Sequence, residues 1–251
     1  MYTHWREVPK HGEGFVDGTW LSKHRKLTRT LLKEYQDSHF IPHHLQGHRS
    51  LLPLTVSLIG QFVRGHSLTI LDFGGGMGVD FVQLISGSVR CENVQYHVVD
   101  TGKSCEIGLS LFEGEERIHF HSELPSLSEV DLVFLNSALE YIPEWAELLS
   151  TLASYHPKYF LMVRLDAGEI PTHARGQRSI KGSTIPYWCL NIQTVVKTMS
   201  ELRYSLLFKS SGPGTYDEDN LPQNYRLGHY CNLLFCQTDD PMPNRSSGSS
   251  S

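Results

Sequence analysis

The chain has 251 residues and little that would mark a secreted, membrane or nucleic-acid-binding protein. Its five cysteines (Cys91, Cys105, Cys189, Cys231 and Cys236) are an odd number, with no Cys-x-x-Cys pair. That pattern opposes both a disulfide framework and a zinc ribbon. No apolar run approaches the roughly 20 residues of a membrane helix. The opening Met1-Tyr2-Thr3-His4-Trp5-Arg6-Glu7 has no signal-peptide core, so a cytoplasmic protein is expected. Neither sign of charge dominates: 22 Lys and Arg face 27 Asp and Glu, a net charge of −5. The basic footprint of a DNA- or RNA-binding protein is missing.

What is present is a change of pattern along the chain. Residues 1–18 are rich in glycine, histidine and charge and read as an irregular arm. Leu21, Leu27, Leu31, Leu32 and Tyr35 return at helical intervals and predict a helix over Thr19–Tyr35. A second helix is expected over about Leu45–Val63, with Pro53 kinking it or opening a new first turn. After Ser67 come short apolar strands at Leu68–Phe73, Val94–Val99, Arg117–Phe120, Val130–Leu135 and Tyr159–Leu165. Helical stretches near Val79–Ile85, Lys103–Phe112 and Glu144–Ser154 separate them. Apolar strands alternating with helices mean a parallel sheet covered on both faces, wound by right-handed crossovers. A loop over 166–188, a helix over Asn191–Glu201 and strands near Tyr204–Lys209 and Tyr230–Gln237 follow, the last two joined by a surface loop, Ser210–Gly228. The expected organisation is an arm and helical lid over 1–64, a Rossmann-like α/β domain over 65–240, and a disordered serine-rich tail over 241–251.

The sharpest motif is Ile70-Leu71-Asp72-Phe73-Gly74-Gly75-Gly76-Met77-Gly78, which ends a strand and opens a helix. The loop carries no Gly-Lys-Ser/Thr, which excludes a Walker phosphate loop there, and its spacing misses the dinucleotide GxGxxG. Asp-x-Gly-x-Gly-x-Gly does fit, with glycines at 74, 76 and 78. A carboxylate at Asp72 would repel a pyrophosphate from the helix N-terminus. It would attract a ligand carrying an ammonium and a sulfonium, as S-adenosylmethionine does, and the glycines would admit the adenosine. Val98-Val99-Asp100 ends the second strand in an acid 28 residues after Asp72, placed to accept ribose hydroxyls. Each acid could instead cap a helix.

These segments, with Asp131–Ile142, resemble the class I S-adenosylmethionine-dependent methyltransferases. The chain is most similar to a methyltransferase family encoded among bacterial surface-polysaccharide genes. The shared features are Asp72-Phe73-Gly74-Gly75, Val98-Val99-Asp100, Leu139-Glu140-Tyr141, Arg164 ending strand five, Gln177, and Ile185-Pro186-Tyr187-Trp188. Two departures are Glu140 where that family has Gln, and a proline before rather than after the tyrosine. The resemblance, over roughly residues 65–210, implies a doubly wound, mostly parallel seven-stranded sheet whose last strand is antiparallel. It also implies adenine packing near Ser122, Glu123 and Asn136.

Methyl transfer needs orientation and, for a hydroxyl acceptor, a base. In such sheets ligands lie beyond the C-terminal strand ends, so candidates follow strands four and five. Arg164 and Asp166 leave the strand on one side, and His173, Arg175, Gln177 and Arg178 follow in a polar segment. His173 is the first expectation for the base, because imidazole titrates near neutral pH; His121 and Asp166 come next. Three arginines would suit an anionic acceptor such as a phosphorylated or uronic sugar. Tyr187 and Trp188 either floor a sugar site or pack under a helix. His39, His43, His44 and His48 suggest a metal, but without an acidic or cysteine partner they read as a solvated helix start; no metal is expected. His119 and His121 share a strand face without further implication. The expected activity is O-methylation of a small molecule or saccharide intermediate, with no nucleic-acid partner. N-methylation and a non-catalytic cofactor-binding module are the alternatives.

Overall fold

The computed structural model describes residues 1–39, 41, 50–60, 67–87, 93–178, 182–214 and 216–238. The arm is pinned rather than loose: Tyr2 exchanges two backbone hydrogen bonds with Ala174, and His11 does the same with Thr184. Helix α1 (Gly18–Ser38) starts where the Asp17 carboxylate accepts from the backbone of Thr19 and Trp20, and ends at His39 in the left-handed region, φ 54°. Helix α2 (Leu51–Ile59) carries Pro53 in its first turn, where no intrahelical N–H is needed. The portions of the expected second helix before Ser50 and after Gly60, the tail 239–251, and His43, His44 and His48 lie outside the described residues.

The main sheet is built from β1 (Leu68–Phe73), β2 (Val94–Val99), β3 (Ile118–His121), β4 (Leu132–Asn136) and β5 (Tyr159–Leu165). Late in the chain β9 (Tyr204–Pro213) and β10 (His229–Gln237) join it. Their order is β3-β2-β1-β4-β5-β10-β9, parallel except for β10, which runs antiparallel to both neighbours. Helices α3 (Val79–Gly87), α4 (Gly102–Leu111), α5 (Trp145–Ala153) and α6 (Ile192–Glu201) make the crossovers.

Strand alternation divides the apolar residues into two cores. Ile70, Tyr96, Phe134 and Leu161 point to one face and pack with α1, α2 and α3 through Leu31, Leu52, Val56 and Phe81. Leu71, Val133, Leu135 and Phe160 point to the other, against α5 and α6 through Leu149, Leu152, Val195 and Met199. Helices α1 and α2 share the sheet's own core, whereas the arm before Gly18 is held at Ala174 and Thr184.

The expected loop over 166–188 is a second, three-stranded sheet: β6 (Ala167–Gly168), β8 (Thr184–Asn191) and β7 (His173–Arg178), in the order β6-β8-β7. Its pattern is inverted, with His173 and Arg175 buried, so apolar periodicity gave no signal. Pro186 fits because this part of β8 pairs on one side only, with β7. The insert after β9 is also not wholly at the surface: β9 extends to Pro213, and Glu218 is buried.

Candidate active site

The chain reverses its winding between β1 and β4, the position at which open α/β sheets bind ligands. The glycine loop crosses that point. A Cβ at Gly74 would fall 2.6 Å from the Cβ of Ala138, and one at Gly75 would fall 2.1 Å from the Asp72 carboxylate. At Gly76, with φ +61°, a Cβ would meet no atom within 4 Å. Two glycines therefore admit the loop's own neighbours, while the third leaves free space above the strand end.

Asp72 is fully buried behind this loop and accepts a 2.7 Å hydrogen bond from the Tyr96 hydroxyl. It braces the loop from inside, its side chain closed to solvent. Asp100 sits at the rim: one oxygen accepts from Gly76 N–H at 2.9 Å and the other from Thr101 N–H at 2.7 Å. Thr101, not Asp100, caps α4. The Asp100 carboxylate retains unused lone pairs toward solvent. Asn136, at the end of β4, donates to both oxygens of Asp80 at 3.1 and 3.0 Å, and among the described residues its buried Oδ1 has no hydrogen-bond partner. Ser122 and Glu123 are exposed just after β3.

Beyond the ends of β4 and β5 a cavity of about 970 Å³ opens. Ser137, Tyr141, Arg164, Asp166, Tyr187 and Tyr216 line it, with Met1, Tyr2 and Pro9 of the arm closing one side. Arg164 and Asp166 are thus brought together as expected, but His173 is not. It is 2% exposed, its Nδ1 lies 2.9 Å from the Pro171 carbonyl, and it does not line the cavity. Burial pulls its pKa down. His121 is also elsewhere, on the edge strand β3, its Nε2 lying 3.1 Å from His97 Nδ1. Tyr187 faces the cavity, whereas Trp188, one residue on, donates to the Pro143 carbonyl and packs on Trp5 at 5.4 Å. The two readings of that pair divide between its members.

Two buried acids are perturbed: Asp166, which lines the cavity, and Glu140, which sits between the lining residues Ser137 and Tyr141 in sequence. Burial, and then the charge of Asp166, pushes the Glu140 carboxyl up to about 8; its Oε1 accepts from Ser137, and its Oε2 has no partner among the described residues. A protonated Glu140 offers one donor and one acceptor, as a glutamine would. Burial raises Asp166 to about 6, against the opposing effects of the Tyr216 hydroxyl that donates to it and of the Arg164 and Arg175 charges. Sequence reasoning missed Tyr216, Glu218 and Asn232; they come from the late insert and β10, remote from any motif. Among the described residues no group of three or more His, Cys, Asp or Glu could hold a metal ion.

No protein-family model and no curated protein matches the chain. Solved structures do match. Magnesium protoporphyrin IX methyltransferase from Synechocystis with bound S-adenosylhomocysteine aligns at TM-score 0.52 and 12% identity, over 89% of this chain and 96% of that one. The 1,6-didemethyltoxoflavin-N1-methyltransferase of Burkholderia thailandensis, with its substrate and S-adenosylhomocysteine, aligns at 0.51 and 13%, over 92% and 95%. An S-adenosylmethionine-dependent methyltransferase from Methanosarcina mazei aligns at 0.52 and 12%, over 72% and 96%. At these identities the likeness establishes the fold, that of the class I methyltransferases.

Proposed function

We propose that the chain is an S-adenosylmethionine-dependent methyltransferase directed at a hydroxyl of a small acceptor bound in the 970 Å³ cavity. The observation that carries it is the open face of Gly76 beside Asp100, at the reversal of strand order and next to that cavity. The residues fit the cofactor: Gly76 leaves room for the backbone approach, Asp100 offers acceptors for ribose hydroxyls, and Asn136 has an unused buried acceptor. Ser122 and Glu123 stand at the next strand end for the adenine, and Gly74 and Gly78 hold the loop in shape. Asp72, buried, contributes negative charge through the loop rather than a direct contact. When bound, S-adenosylmethionine supplies a methyl group already activated by its sulfonium.

The protein's share is then orientation and proton removal. Asp166 fits the base: it lines the cavity, titrates near about 6 and is oriented by the Tyr216 hydroxyl. Tyr141, held by the Gln177 side chain at 2.6 Å and packed edge-on against Phe15 at 4.8 Å, walls the acceptor from solvent. The arm above it excludes water from the reacting groups. The similar enzymes described above are a porphyrin and a toxoflavin methyltransferase; neither supports a polysaccharide setting, and the acceptor is read from the cavity's chemistry. Among the described residues no helix is long and apolar enough to cross a membrane.

Calorimetric titration with S-adenosylmethionine and S-adenosylhomocysteine tests the reading, followed by S-adenosylhomocysteine release on screening hydroxylated acceptors. Folded protein that binds neither cofactor form would refute it. Turnover that is indifferent to Asp166 would favour N-methylation, which needs no strong base.

A further inference from the structure

We infer that Arg164 is an anion-binding residue of the acceptor pocket, so the methyl acceptor carries a carboxylate or phosphate group. The inference deepens the methyl-transfer reading and rests on it.

Three arginines border the cavity, and the structure separates them. Arg175 is already satisfied by Glu218 at 2.9 Å, and Glu218 is itself fixed by the N–H groups of Leu227 and Gly228 at 2.8 Å each. Arg178 is exposed at the rim. Arg164 is half-buried in the cavity wall and, among the described residues, makes no ion pair. Its neighbour Asp166 feels the Arg164 charge but takes its hydrogen bond from Tyr216. A guanidinium has five N–H donors in a planar fork that matches a carboxylate or phosphate.

The backbone gives an independent observation. Leu165 pairs with Cys231 and Met162 with Leu233, so Val163 and Arg164 together oppose Asn232 across a β-bulge. Arg164 sits there at φ 55°, a left-handed conformation that strains any residue with a Cβ. Its N–H, turned out of the ladder, is met by Asn232 Oδ1 at 2.9 Å, and Asn232 Nδ2 donates to Ser210 at 3.0 Å. Glycine would occupy this site without strain, so what the position uses is the arginine side chain. Strain of this kind clusters at binding sites, where surrounding structure over-determines it. Asn232 is accordingly a positioning residue for Arg164. With Asp166 two residues away on the same wall, one small molecule presents its anionic group to Arg164 and its hydroxyl to Asp166. Tyr141, Tyr187 and Tyr216 supply aromatic walls around it.

The test titrates the full chain, with and without S-adenosylhomocysteine, using inorganic phosphate, benzoate and neutral benzamide. Wild type should bind benzoate at least about tenfold tighter than benzamide, the worth of a charged hydrogen bond. Phosphate binding tighter than benzoate assigns a phosphate ester, and the reverse a carboxylate. Arg164→Gly should erase the benzoate preference while its melting temperature holds or rises. Arg178→Gln should keep it. Asn232→Ala should reduce it without changing S-adenosylhomocysteine affinity, and the Arg164→Gly/Asn232→Ala double variant should match Arg164→Gly alone, as a residue acting through Arg164 must. Equal binding of benzoate and benzamide to wild type, or a preference that survives Arg164→Gly, overturns the inference. Anion preference in a protein that binds no S-adenosylhomocysteine would instead refute the methyl-transfer reading.

Discussion

Adjacent glycines of one loop should fail in different ways when given the same methyl group. At Gly76 the Cβ of alanine meets nothing, and the only cost is its left-handed φ of +61°, about 1–2 kcal/mol. A domain with about 5–15 kcal/mol of stability survives that. The methyl group occupies the free face above the strand end, so cofactor affinity should fall at least about tenfold, or about 1.4 kcal/mol. At Gly75 the backbone is unstrained, but the Cβ would stand 2.1 Å from a carboxylate that is fully buried and bonded to Tyr96. Displacing it adds overpacking of about 1–3 kcal/mol to a disturbed charged hydrogen bond of about 1.5–3 kcal/mol. Gly75→Ala should therefore lose about 2.5–6 kcal/mol in urea unfolding, whereas Gly76→Ala loses only about 1–2 kcal/mol but fails calorimetric titration with S-adenosylhomocysteine. If Gly76→Ala binds as wild type does, or Gly75→Ala is as stable as wild type, the placement of the loop is wrong.

The remaining expectations concern the acids. Asp166→Asn should lower kcat by about a hundredfold or more, the usual worth of a general base. Wild-type activity should fall as the pH drops through about 6, where Asp166 takes up its proton; His173→Asn should leave both rate and limb in place. Glu140 is raised from 4.5 to about 8 in the fold, so the native state holds a proton that the unfolded chain has lost. Its contribution to stability is complete below about pH 4.5 and disappears as the pH rises through about 8. Glu140→Gln keeps an acceptor for Ser137 and should flatten that decline, leaving the variant more stable than wild type above about pH 8 in urea unfolding. Asp100→Asn can accept one backbone N–H but not both that Asp100 now holds, and should weaken cofactor binding by about 1–3 kcal/mol.

The sheet and the cofactor end were legible in the sequence because both are local. Leu68–Phe73, Val94–Val99 and Tyr159–Leu165 are strands with the expected bounds, since runs of apolar residues buried on both faces suit only a covered parallel sheet. The turn from β1 into α3 needs glycine where φ is positive, and its spacing could be read directly. The acceptor end was not legible, because its residues meet only across distant pairings. The second sheet buries histidine and arginine, so its alternation carries no hydrophobic signal, and His173 looks catalytic in sequence yet is enclosed in the fold. The partners of Arg164, Asp166 and Arg175 are Asn232, Tyr216 and Glu218, contributed by segments some 40 to 70 residues later in the chain. What the sequence by itself determined was the winding of the chain and the loop at its reversal point. Which arginine makes no ion pair among the described residues, which acid has its pKa raised and which backbone is strained depended on burial and on β10 folding back against β5, and those exist only in the tertiary structure.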